Sequence, residues 1–277
     1  MQSEKKVIPI DIDGVAVQWQ SNLPFFAAEH NIPTDRILNM MVDEKFRSMS
    51  EIFGCDDELA DRLMRQYNSS KWIRGLKPYD DALIVINRLK HKYDFVAITA
   101  IGKSAESCLN RIANLNILFP SAFVDVMCVD VGESKVSRYL EAKKKYGDRM
   151  VCFVDDLAGN LEEFHGVMST LPMIHMVRGP RTSPECFHFK ATSMYDVENL
   201  LSSLESERPD TAQQAKFKEQ VSKTPLADTL RKLTEDAKNY PLMTTGRMGE
   251  DWLEGIHAMK NDSNVNLVGY QHVPNSD

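Results

Sequence analysis

No stretch of this 277-residue chain reaches the roughly eighteen consecutive apolar residues that a membrane-spanning helix needs, so no membrane partner is expected. The polar start, Met1 to Lys6, leads into only a short apolar run and lacks the long apolar segment of a secretory signal. The five cysteines (Cys55, Cys108, Cys128, Cys152, Cys186) are odd in number and contain no C-x-x-C pair. That suits reduced thiols better than a disulfide framework or a zinc knuckle, and a cytoplasmic location is the expectation. The seven histidines show no H-x-x-E-H spacing, and Cys186 with His188 lacks partners for a tetrahedral metal site. No G-x-x-x-x-G-K-[ST] loop is present, so triphosphate hydrolysis by that route is unsupported. Positive charge is in deficit, 33 Lys and Arg against 40 Asp and Glu, for a net charge of -7. A long nucleic acid is therefore disfavoured as a partner.

What is present is an ordinary globular composition, 43% hydrophobic and 26% charged, at a length that suits one large domain with an insertion or two small domains. Short apolar runs with the length of buried strands occur at Val7 to Ile10, Phe95 to Thr99, Phe123 to Val129, Met150 to Val154 and Met173 to Val177. Helical periodicity fills the spaces between the later runs, at Ser104 to Leu115, Ser134 to Tyr146 and Ala158 to Met168. Asp80 to Lys92 adds a helix with Asp80 or Asp81 available as its cap. Alternating strands and helices predict a parallel α/β sheet covered on both faces. The gap after the first run is too long for a loop and carries its own amphipathic stripes. Thr34 and Asp56 can each cap a helix there, and Ser21 to His30 can supply a third with Pro24 in its first turn. The reading is a core over 1–16 and 76–204, a helical cap over 17–75, and an irregular or helical C-terminal extension over 205–277. Leu226, Leu230 and Leu233 form one helical stripe in that extension, and a protein partner could bind there.

In an open parallel sheet the carboxyl ends of strands face the ligand crevice, and here those ends carry chemistry. The first run ends in Asp11-Ile12-Asp13-Gly14, two carboxylates followed by a residue that permits a tight turn. The second ends in Thr99-Ala100, a hydroxyl and then free amides leading into a helix, suited to an anionic oxygen. The fourth ends in Asp155-Asp156, with Asn160 four residues on, and Lys135 opens the preceding helix. Each feature alone also fits a polar turn, a helix cap or a solvated lysine.

Together, the order Asp-x-Asp, Thr, Lys, Asp-Asp resembles the haloacid dehalogenase superfamily of phosphohydrolases over about residues 6 to 180. The resemblance implies a Rossmann-like core with a parallel five-stranded sheet in the order 5-4-1-2-3 and a small inserted helical cap. It further implies that Asp11 is a nucleophile forming an aspartyl-phosphate and that Asp13 is the general acid and base. A magnesium ion would be held by the Asp11 carboxylate, the Asp13 backbone carbonyl and Asp156, with Asp155 and Asn160 in support. Thr99, the Ala100 amide and Lys135 would hold the phosphate, although Lys103, four residues after Thr99, competes with Lys135 for that role. Pro9 inside the first strand predicts a short or irregular strand.

Asp13 favours phosphate esters over halides, because a departing halide needs no proton. Trp19, Phe25, Phe26 and Trp72 offer walls for a flat ring, and a looser resemblance to 5′(3′)-deoxyribonucleotidases points to a nucleoside monophosphate as the small phosphorylated substrate. The alternatives are a polynucleotide-end phosphatase and a catalytically silent interaction protein that keeps this fold.

Overall fold

A computed structural model describes residues 4–43 and 47–206; the Leu226, Leu230, Leu233 stripe and nearly all of the 205–277 extension lie outside the described residues. The central layer is a six-stranded sheet ordered β5-β4-β1-β6-β7-β8. Its strands are β1 (Lys6–Ile10), β4 (Tyr93–Thr99), β5 (Phe123–Cys128), β6 (Phe153–Asp155), β7 (Met173–Met176) and β8 (Phe189–Ala191). Every neighbouring pair is parallel. The five strands expected from the sequence stand in the implied order, and β8 extends the β7 edge, so the sheet has six strands rather than five.

Pro9 leaves a legible mark. β1 pairs with β4 along its whole length, Pro9 facing Val96. Towards β6, Val7 accepts from the Val151 amide and Asp11 donates to the Val154 carbonyl. Pro9 lies midway between these two groups and has no N–H to give, and the β1–β6 ladder is reduced to its ends. The strand is therefore regular on one side and interrupted on the other.

Helices α5 (Asp80–Leu89), α6 (Ala105–Leu118), α7 (Val136–Tyr146) and α8 (Ala158–Val167) connect the strands, and α9 (Met194–Ser206) follows β8. The expected cap of α5 is corrected: Tyr79 occupies that position without a side-chain bond, while Asp80 and Asp81 lie in the first turn. Asp81 instead pairs with Arg178 at 2.9 Å and accepts the Met194 amide at 2.5 Å. Apolar residues of the strands form a fully buried core that includes Ile8, Ile10, Phe95, Val96, Phe153 and Val154.

Between the first strand and α5 the chain forms a two-stranded antiparallel ribbon, β2 (Val17–Gln18) with β3 (Lys77–Pro78), and the segment between these two strands is helical. It contains α1 (Leu23–Glu29), α2 (Asp35–Asp43), α3 (Met49–Phe53) and α4 (Asp57–Ser69). Pro24 sits in the first turn of α1, where a missing amide costs nothing. The Asp56 carboxylate caps α4 by accepting the Leu59 amide at 2.8 Å. A capping box between Ser48 and Glu51 starts α3, a helix the sequence reading passed over.

Candidate functional site

Three adjacent strands, β4, β1 and β6, deliver the site from their carboxyl ends. After β1 the chain turns back at once: the amides of Val15, Ala16 and Val17 all converge on the Ile12 carbonyl. Gly14 adopts φ +78, and a Cβ on it would lie 2.8 Å from Asp156 Cγ. The turn after Asp13 therefore presses against the end of β6, and only a residue without a side chain permits that approach. Gly14→Ala is expected to destabilise the protein by roughly 1–3 kcal/mol from backbone strain alone, whereas Gly166→Ala in α8, with nothing within 4 Å, is expected to be neutral or stabilising; urea unfolding of the two variants checks this.

Carboxylate oxygens of Asp11, Asp155 and Asp156 lie within 4.8 Å of one another, all buried. Lys135, at the N-terminal end of α7 and only 2% exposed, answers them: its Nζ donates to Asp11 Oδ1 at 2.7 Å and to Asp155 Oδ2 at 3.0 Å. Burial alone would lower the Lys135 pKa, but Asp11 and Asp155 outweigh it and hold the ammonium charged. Burial pushes Asp11 well above the usual carboxylate range, with Lys135 pulling it back down. Burial and the neighbouring Asp155 raise Asp156 to about 7, against the opposing pull of Arg181.

Asp155 is fully engaged. It accepts from the Leu157 amide at 2.9 Å, from Asn160 Nδ2 at 2.9 and 3.1 Å, and from Lys135. Asp155 and Asn160 thus brace the cluster, while Asp11 and Asp156 border the adjoining cavity. Hard, anionic oxygens gathered in this way suit a small divalent cation.

That cavity measures about 620 Å³ and is bordered by Asp11, Asp13, Ala100, Lys135, Asp156 and Asn160 on the sheet side. Thr99 is brought to the same strand end but lies fully buried outside the cavity wall, its hydroxyl lacking a partner. Lys103 is half exposed, pairs with Glu133 at 2.5 Å and does not border the cavity. The inserted segment contributes a mixed wall, the apolar Trp19, Met40, Met49, Ile52 and Met64 interspersed with Gln20, Arg47, Ser48 and Asn68. Of the aromatic residues expected there, Trp19 alone borders the space. Phe25 and Trp72 stack on each other with centroids 5.6 Å apart, Phe25 being 56% exposed, and Phe26 is buried against Tyr67.

Two arginines complete the site and were not anticipated. Arg181 donates from Nε to Asp156 Oδ2 at 2.9 Å. Arg111, on α6, donates from one nitrogen to both oxygens of Asp13 at 2.5 and 2.6 Å. Asp13 lies 98 positions from Arg111 in sequence, and no local motif marks that pairing. A signal did exist in the polar stripe of Ser107, Asn110, Arg111 and Asn114 at helical spacing.

The sheet order, the ribbon after β1 and the helices inserted between its strands define the haloacid dehalogenase-like fold. Solved structures share it, among them the following. A haloacid dehalogenase-like hydrolase from Streptococcus pneumoniae superposes with a TM-score of 0.50 at 11% identity, covering 71% of this chain and 98% of that one. A "predicted phosphatase" from Clostridium acetobutylicum gives 0.50 at 14%, covering 73% and 100%. The L-2-haloacid dehalogenase of Xanthobacter autotrophicus gives 0.50 at 13%, covering 72% and 99%. At such identities the likeness is one of fold. No family model matches the chain. In sequence it is 41% identical over 219 residues to the uncharacterized 32.4 kDa protein of the Gp30-rIII intergenic region of enterobacteria phage T4, covering 79% of this chain and 78% of the phage protein. The chain belongs to the same family as that phage protein.

Proposed function

We propose that this chain is a magnesium-dependent phosphate monoester hydrolase acting through an aspartyl-phosphate on Asp11. The observation that carries the reading is the buried Lys135 ammonium spanning Asp11 and Asp155 beside Asp156, on the wall of a cavity that the inserted segment also lines. A phosphate ester is anionic and repels an attacking carboxylate, so a site for it needs cationic charge close to both. Lys135 supplies one such charge. The donor set fits a hard cation as well: Asp11 and Asp156 each carry a carboxylate oxygen besides the one bound by Lys135 or Arg181, and the Gly14 turn holds the backbone beside Asp156. When bound there through Asp11, the Asp13 carbonyl and Asp156, magnesium would offset charge on the phosphoryl oxygens.

In this account Asp11 attacks phosphorus. Asp13, at the cavity edge, gives its proton to the departing oxygen and later takes one from the water that releases the phosphate. The Ala100 amide is the neutral donor that borders the cavity at the second strand end, with the unpartnered Thr99 hydroxyl buried behind the wall, and Lys135 balances the charge that Asp11 and the phosphate share. Asp155 and Asn160 keep Lys135 aimed.

The substrate proposed is a nucleoside monophosphate. The Trp19 indole is fixed by an edge-on contact with Tyr67, 5.1 Å between centroids, and by donation to Asn68 at 2.9 Å, which makes it a rigid apolar wall for a flat ring. Phosphate release from a panel of monoesters, with magnesium and then with a chelator, tests the reading. The expected result is turnover of mononucleotides that is abolished by chelation and insensitive to salt. Steep salt dependence with a preference for polynucleotide ends would favour the end-phosphatase alternative.

The cation site has a signature independent of turnover. Asp156, raised to about 7, binds its proton more tightly folded than unfolded. Without metal the folded state is therefore favoured below the ordinary carboxylate range, and this advantage is lost as pH rises through about 7. Added magnesium should accordingly raise the unfolding temperature more at pH 8 than at pH 5. Thermal scans at the two pH values, with and without the ion, check this.

A further inference from the structure

Helix α6 turns a polar face inward. Ser107, Asn110, Arg111 and Asn114 are all buried, whereas Leu109 and Ile117 on the same helix are 61% and 68% exposed. Burying polar groups is costly unless they are bonded; Ser107 is bonded locally by Ser104, and the partners of the other three fall in two places. Asn110 donates to the carbonyls of Ser69 and Ser70 at 2.8 and 3.0 Å and accepts from Arg74 Nε at 2.5 Å. Asn114 donates to the carbonyls of Arg74 and Leu76 at 3.2 and 3.1 Å. These carbonyls belong to the stretch by which the chain returns from the inserted helices to β3. The second place is the cavity: Arg111, with no exposed surface, reaches Asn114 Oδ1 with Nη1 at 3.4 Å and both oxygens of Asp13 with Nη2.

A buried ion pair is a poor stabilising device when set against packed apolar residues. Its geometric effect is larger. Arg111 meets Asn114 through one terminal nitrogen at 3.4 Å and holds the Asp13 carboxylate with the other, its buried Nε lacking a partner, so the direction of that carboxylate is set by α6 and, through Asn114, by the returning chain. Each carboxylate oxygen retains a second lone pair that can face the cavity, where Asp13 is 23% exposed.

We propose that Arg111 is a positioning residue for Asp13, and that Asn114 links this positioning to the segment returning from the inserted helices. The inference rests on the phosphatase reading. In the first half-reaction an Asp11 oxygen bonds to phosphorus as the bond from phosphorus to the alcohol oxygen breaks, and that oxygen leaves with the proton of Asp13. In the second, water oxygen bonds to phosphorus as the Asp11–phosphorus bond breaks; the water proton goes to Asp13 and inorganic phosphate departs.

A misaimed Asp13 should harm only leaving groups that need a proton. The experiment compares first-turnover release of nucleoside from a nucleoside 5′-monophosphate with first-turnover release of p-nitrophenolate, an anion stable without a proton, from p-nitrophenyl phosphate. Wild type, Arg111→Lys and Asn114→Ala are measured, with thermal unfolding to establish that each variant is folded. The expected result is a loss of roughly a hundredfold for the nucleotide in Arg111→Lys, a smaller loss in Asn114→Ala, and nearly unchanged p-nitrophenolate release in both. Equal losses on both substrates in a folded variant, or no loss on either, would overturn the positioning role. If Arg111→Lys does not fold, Asn114→Ala alone decides by the same comparison. A wild-type protein inert on both esters would overturn the phosphatase reading itself, and this inference with it.

Discussion

Asp11→Asn is expected to eliminate phosphatase turnover, by at least about four orders of magnitude, as removal of a covalent nucleophile does, while leaving the protein folded. The asparagine keeps the shape of the side chain and one carbonyl oxygen towards Lys135. It also removes a carboxylate whose pKa burial pushes upward, meaning that the folded protein holds the charged form at a cost. Lys135 would keep Asp155 as its counter-ion at 3.0 Å. The unfolding temperature of the variant should therefore match or exceed that of the wild type. Steady-state assays paired with calorimetry separate the two effects, and full hydrolysis by the variant would end the assignment of Asp11.

Lys135→Met should do the reverse and damage stability as well as chemistry. Asp11 and Asp155 would face each other in a buried site without the ammonium that lies 2.7 and 3.0 Å from them. Removing one partner of a buried ion pair typically costs about 3–5 kcal/mol. Asn160 and the Leu157 amide would still satisfy Asp155, so the lower part of that range is expected. Loss of one preorganised charge at the phosphoryl group should also slow turnover by on the order of a hundredfold. Denaturant unfolding of the variant, with and without magnesium, tests the stability part: the ion should recover some of the loss by meeting the same carboxylates.

Legibility in the sequence followed the range of the interactions involved. The strand ends at Asp11, Thr99 and Asp155 could be read because a buried strand is a short apolar run and its last residues are polar. The helices of the insertion were readable from their caps, as Asp56 shows. β8 escaped because Phe189–Ala191 is three residues long, too short for any periodicity, and it is held by pairing with β7. Asp81 was misassigned as a cap because its distant partners, Arg178 and the Met194 amide, contribute more than the local turn does. Trp72 and Phe25 satisfied each other at the surface, an outcome that composition cannot separate from a ligand wall.

The central claim is that Asp11 carries the phosphoryl group between the two half-reactions. Acid quenching during turnover of a nucleoside monophosphate, followed by mass spectrometry of the peptide containing Asp11-Ile12-Asp13, tests it most directly. The expected result is a phosphoryl adduct on Asp11 that hydroxylamine removes and that Asp11→Asn never forms. Rapid hydrolysis with no adduct on that peptide, or with the adduct on another residue, would contradict it.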